Sequence, residues 1–150
     1  MPRQGGEIVS AAHLVRPAPE WKIREAWNRK AERLHGISLA QLLAHGAPAH
    51  AVANDMNDRL AGLELFSDES AYDRRWLGQL FKVAGVEPTF TVSLIPTRAL
   101  LGGMAEERGF DPARFEKLWE EARQQRRHRA DADARAYAEI WRQIAGDAEK

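Results

Sequence analysis

Apolar positions along the chain recur in two rhythms, and each predicts its own kind of element. Ile23, Trp27, Ala31 and Leu34 follow the three-and-four spacing of a helix face and predict a helix from Trp21 to Leu34, closed by His35-Gly36. Val52, Ala53, Met56 and Leu60 predict a second, opened by Pro48 and stopped at Gly62. Trp76, Leu77, Leu80, Phe81 and Ala84 mark a third. Phe115, Leu118, Trp119 and Ala122 mark a fourth behind the cap and first-turn pair Asp111-Pro112. Tyr137, Ile140, Trp141 and Ile144 predict the last, from about Ala130 to Ala145. Three runs read as strands: Glu7 to Val15, stopped by Arg16-Pro17-Ala18-Pro19; Leu63 to Ser67, a compact buried strand; and Thr89 to Leu94, bounded by Pro88 and Pro96. Ile37 to His45 is turn-rich, with one helical turn at Leu39 to Leu43.

Two acidic residues interrupt the apolar stripes. Asp73 falls on the face of Trp76, Leu77, Leu80 and Phe81, and Asp133 on that of Tyr137, Ile140, Trp141 and Ile144, so both are expected to point inward. An unpaired carboxylate taken out of water costs several kcal/mol, and two of them suggest a shared cation. Asp131 shares its face with Arg135, Ala138 and Arg142 and reads as solvated, which leaves Asp133 as the candidate ligand. Five residues of helix turn through about 500°, placing His128 about 140° from Asp133 if both were helical. His128 is therefore expected on the loop entering the helix. Plainer readings stand beside these. Ser70 and Asp73 have the spacing of a capping box, Asp133 suits a helix start, and His35 before Gly36 suits a helix end. The five tryptophans read as core anchors.

Composition narrows the setting. A chain of 150 residues suffices for one domain with a real core, and we expect a single domain over residues 1–150. No apolar run approaches the roughly 18 residues of a membrane span, and the start lacks a signal peptide's apolar centre. There is no cysteine, which removes disulfides and thiolate metal sites; the expected location is cytoplasmic. Because 22 basic side chains balance 22 acidic ones, any attraction for a polyanion must come from a local patch. Arg123, Arg126, Arg127, His128 and Arg129 form one, which reads either as a solvated helix end or, beside Asp133, as a phosphate contact.

Four segments in order resemble the DnaQ-like, DEDDh group of 3′–5′ exonucleases, over nearly the whole chain. Glu7 to Pro17 is similar to that family's third strand and its exit; His35-Gly36-Ile37 matches the tripeptide that follows. Ser67 to Asp73 resembles the second motif, an aromatic-Asp pair entering a helix, continued by Arg74-Arg75-Trp76-Leu77. His128 to Asp133 resembles the third, His-x4-Asp. The family's first motif, Asp-x-Glu on the first strand, has no counterpart ahead of Glu7. The resemblance implies an α/β chain with a ribonuclease H-like three-layer fold, N-terminally truncated, in which the first two strands are absent and a small mixed sheet carries flanking helices. It implies Asp73 and Asp133 as ligands of Mg²⁺ or Mn²⁺ in a two-metal site, and His128 as general base. His35 and Ile37 would lie at the terminal nucleotide of a single-stranded or 3′-end nucleic acid, with Arg74, Arg127 and Arg129 on its phosphates. Missing the first two strands, the sheet would present an exposed edge, to be completed by a homodimer or a partner strand. Missing the first carboxylate pair, the expected hydrolysis is impaired. The alternative is a non-catalytic binding or interaction module on a remnant of the same fold.

Overall fold

The computed structural model describes residues 7–23, 27–124 and 129–147. It is a mixed α/β structure, mostly helical, with one two-stranded parallel sheet. The described residues fall into two compact units. One is His13–Pro96; the other is Thr97–Lys150 with the described part of Met1–Ala12.

Over Glu7 to Val15 the chain is extended rather than the expected strand, and the first unit takes it up from His13. Only Val15 pairs, in an isolated parallel bridge to Ala47 made by Arg16 N–H to the Ala47 carbonyl at 2.8 Å and Ala47 N–H to the Leu14 carbonyl at 2.7 Å. Gly46 makes this approach feasible: a Cβ there would sit 2.5 Å from the Arg16 nitrogen. The helix expected over Trp21 to Leu34 is also shorter. A 3-10 turn at Pro19–Trp21 precedes α1 (Arg29–His35), which Asn28 caps by accepting from the amides of Lys30 and Ala31, and which ends at Gly36 in the left-handed region. After α2 (Leu39–His45, capped by Ser38), α3 (Ala49–Leu60) starts directly behind Pro48.

The remainder of this unit is one strand-helix-strand crossover: β1 (Glu64–Ser67), α4 (Ser70–Ala84) and β2 (Thr91–Pro96). Parallel strands require such a crossover, and α4 supplies it. Asn57 on α3 sets where β2 begins. Its amide donates to the Glu87 carbonyl at 2.8 Å and accepts from Thr89 N–H at 2.9 Å, just before Thr91 N–H meets the Leu63 carbonyl at 3.0 Å. Pairing runs Glu64 to Thr91 and Leu65 to Val92, then breaks, with Ser67 opposite Pro96. Three β2 residues therefore face Phe66 alone, and the strand bulges outward. The Ser93 hydroxyl is buried and accepts from Ile95 N–H at 3.2 Å, while Leu94 and Ile95 stand 71% and 50% exposed. The core lies between α3, the second half of α4 and the strands, around Val52, Ala53, Leu80, Phe81 and Phe90.

The second unit packs three helices, α5 (Thr97–Glu107), α6 (Pro112–Gln124) and α7 (Ala130–Asp147). Asp111 caps α6 as expected, accepting from Ala113 and Arg114 amides at 3.3 and 3.2 Å. Leu101, Ala105, Phe115, Trp119, Ile140 and Ile144 form its core, and the rings of Phe115, Trp119 and Tyr137 stack in series. No helix among the described residues is long and apolar enough to cross a membrane.

Candidate active site

Asp73 stands in the first turn of α4, immediately beyond the carboxyl end of β1. That is the end of a parallel sheet at which α/β proteins collect their ligands, because helix starts and strand ends converge there. Contrary to the inward placement expected from its periodicity, Asp73 is exposed. The stripe does predict the buried face correctly from Leu77 onward, with Leu80 and Phe81 in the core, but Ala71 to Trp76 extend past the core's end. Trp76 is 62% exposed, as is Tyr72 one turn earlier, so Trp76 is not a core anchor.

The Ser70 capping box is absent too. Ser67, the last residue of β1, donates its hydroxyl proton to the Asp73 carboxylate and accepts from Glu69 N–H at 3.1 Å. This one hydroxyl joins strand end, turn and helix start. Helical spacing offered no signal for it, since the pair spans a strand-to-helix turn. Arg74 and Arg75 follow in the next positions of α4. Arg74 lines a groove of about 470 Å³ along the helix, and the Arg75 guanidinium lies 5.9 Å from the Trp76 ring centre.

The other expected site residues fall as follows. His35 and Ile37 meet at the end of α1, where Ile37 N–H donates to His35 Nδ1 at 3.0 Å, so one ring nitrogen is committed to the turn. Both are half-buried. Asp133 is half-buried in the first turn of α7, where its amide donates to the Arg129 carbonyl at 3.0 Å. Asp131 is exposed as expected, with Arg129 Nε 3.8 Å from its carboxylate. His128 and Arg127 lie outside the described residues. Asp73 belongs to one unit and Asp133 to the other. Among the described residues no group of three or more His, Cys, Asp or Glu side chains is gathered as a metal site.

One cluster had no counterpart in the sequence reading. His13 Nε2 lies 2.8 Å and Arg59 Nε 2.7 Å from the same Asp55 oxygen. The Arg59 guanidinium first, and His13 second, hold the Asp55 carboxyl below its ordinary range, and the carboxylate in turn raises Arg59. The cluster fastens the extended N-terminal segment to α3. The chain matches no protein-family model, no curated protein and no solved structure.

Proposed function

We propose that the chain is a 3′–5′ exonuclease-like domain of the DnaQ-like type, acting on the 3′ end of single-stranded nucleic acid. The observation that carries this reading is Asp73: an exposed carboxylate, held by Ser67, at the carboxyl end of a parallel strand-helix-strand unit. In this reading Asp73 and Asp133 are each carboxylate ligands for divalent metal, His128 takes the proton of the attacking water, and Arg74, Arg127 and Arg129 meet phosphates. His35 and Ile37 flank the terminal nucleotide, the imidazole through its remaining nitrogen.

The donors suit Mg²⁺ or Mn²⁺ in kind, because both ions prefer carboxylate oxygen and complete their shells with water. They do not suit a two-metal centre in number. Two carboxylates are too few, and the described residues add no third ligand to either. The chain as it stands should bind substrate and metal weakly and hydrolyse slowly or not at all, unless another strand brings the family's Asp-x-Glu pair.

A non-catalytic binding module is the second reading, favoured by the apolar side chains left uncovered at Tyr72, Trp76, Leu94 and Ile95. Mn²⁺ titration separates the two. The first reading expects saturable binding below millimolar Mn²⁺, weakened at least tenfold in Asp133→Ala and in Asp73→Ala but retained in His128→Ala. Absence of binding at millimolar Mn²⁺ sinks it.

A further inference from the structure

One face of α4 carries Arg74, Gly78 and Lys82, each four residues from the next and so aligned along the helix. This face forms one wall of the groove, whose volume of about 470 Å³ falls within the range of small-molecule sites. Leu77, Phe81 and Phe90 give it an apolar floor. The backbone positions of these two long cations lie about 12 Å apart along the helix axis, with a notch between them where Gly78 has no side chain. Neither Arg74 nor Lys82 forms an ion pair with any described residue, and Glu87 is the single acid in the lining.

Gly78 is the informative residue. A glycine inside a helix is destabilising, and packing does not demand this one, because a Cβ there would meet nothing within 4 Å. It is open space that the helix leaves free beside two bases that pair with no described residue.

We propose that this groove binds an organic anion with an apolar body, which lies across the notch at Gly78 on Leu77, Phe81 and Phe90. Its acidic group is paired by Arg74 and Lys82. The site needs no metal at Asp73 or Asp133, and it shares Arg74 with the proposed phosphate contacts.

The test uses the whole chain with two fluorescent probes of nearly the same shape, 8-anilino-1-naphthalenesulfonate and its uncharged analogue N-phenyl-1-naphthylamine. The sulfonate should saturate at one site per chain. The double variant Arg74→Ala/Lys82→Ala should weaken it by about tenfold, the sum of two partly exposed charge contacts, and leave the uncharged probe unaffected. Gly78→Leu should abolish the site for both probes while melting no lower than the parent chain, since leucine is the better helix former. Sulfonate binding that survives Gly78→Leu, or that weakens equally with the uncharged probe in the double variant, would overturn the proposal. So would a failure of the sulfonate to saturate.

Discussion

Phe81 and Trp76 occupy one apolar stripe in the sequence, yet the structure gives them opposite fates, and truncating each to alanine tests that difference directly. Phe81 is 3% exposed and meets Phe90 edge to face at 5.6 Å. Removing its ring costs the transfer energy of the side chain, the cavity left behind and the aromatic pair, together about 3–5 kcal/mol. A unit of this size has a total stability on the order of 4–13 kcal/mol, so Phe81→Ala should remove a large share of that stability. Trp76 is 62% exposed and its recorded ring partner is Arg75. A surface substitution plus an exposed cation-π contact amounts to about 0.5–1 kcal/mol. Urea unfolding followed by circular dichroism resolves the two easily. With a slope of about 2 kcal/mol per molar, Phe81→Ala should lower the midpoint by roughly 1.5–2.5 M and Trp76→Ala by less than about 0.5 M. Equal losses would show that the first turns of α4 are covered, and the exposed setting of Asp73 on those turns would be refuted with them.

Gly78→Ala should raise stability by about 0.4–1 kcal/mol, because alanine narrows the unfolded ensemble and meets no neighbour in the fold; a lowered melting temperature would show that the position is crowded. Asp55 yields a pH dependence of definite sign. Its carboxyl is depressed in the fold, so the stabilisation is present above the unfolded value of about 3.9 and is lost as pH falls through the lower folded value. Hydrogen-exchange protection of the Arg16 and Ala47 amides, which tie the N-terminal segment to the start of α3, should therefore decline below about pH 4. In Asp55→Asn that decline should be absent. A decline that persists in the variant would place the titrating group elsewhere.

The sequence made some of this legible because certain residues specify structure locally. Asp111-Pro112 caps a helix by its own chemistry, and the stripe from Tyr137 to Ile144 buries Ile140 and Ile144 whatever lies opposite. The failures came where the outcome depends on more than neighbouring residues. Thr97–Glu107 shows no stripe that assigns it and holds the Gly102-Gly103 pair, yet the helix forms, with Leu101 and Ala105 buried against the α6 and α7 cluster and room for a Cβ at Gly102 3.8 Å from the Phe115 ring. Tertiary packing there outweighs two poor helix formers. Glu7 to Val15 failed in the other direction. Its residues suit a strand, but a ladder needs a second strand in register, and among the described residues only Ala47 offers a bridge.

The candidate site follows the same division. Periodicity placed Asp73 on the helix line that leads to Leu77 and Leu80, and the structure agrees about the line. It could not tell where along that line the cover stops, because cover comes from α3 and the strands, which are remote in sequence. A carboxylate on a core-facing line but beyond the core's end pays no burial cost, so it needs no buried cation to explain its survival. Burial therefore gives no ground for a metal at Asp73. What replaces it is positional: an accessible acid, oriented by Ser67, at the strand end where α/β folds bind ligands. An exposed acid of this kind binds a metal only with help from other ligands. The Mn²⁺ affinity of Asp73→Ala is accordingly the more decisive of the two carboxylate tests, since a value unchanged from the parent chain would reduce Asp73 to a helix-start acid favoured by the dipole.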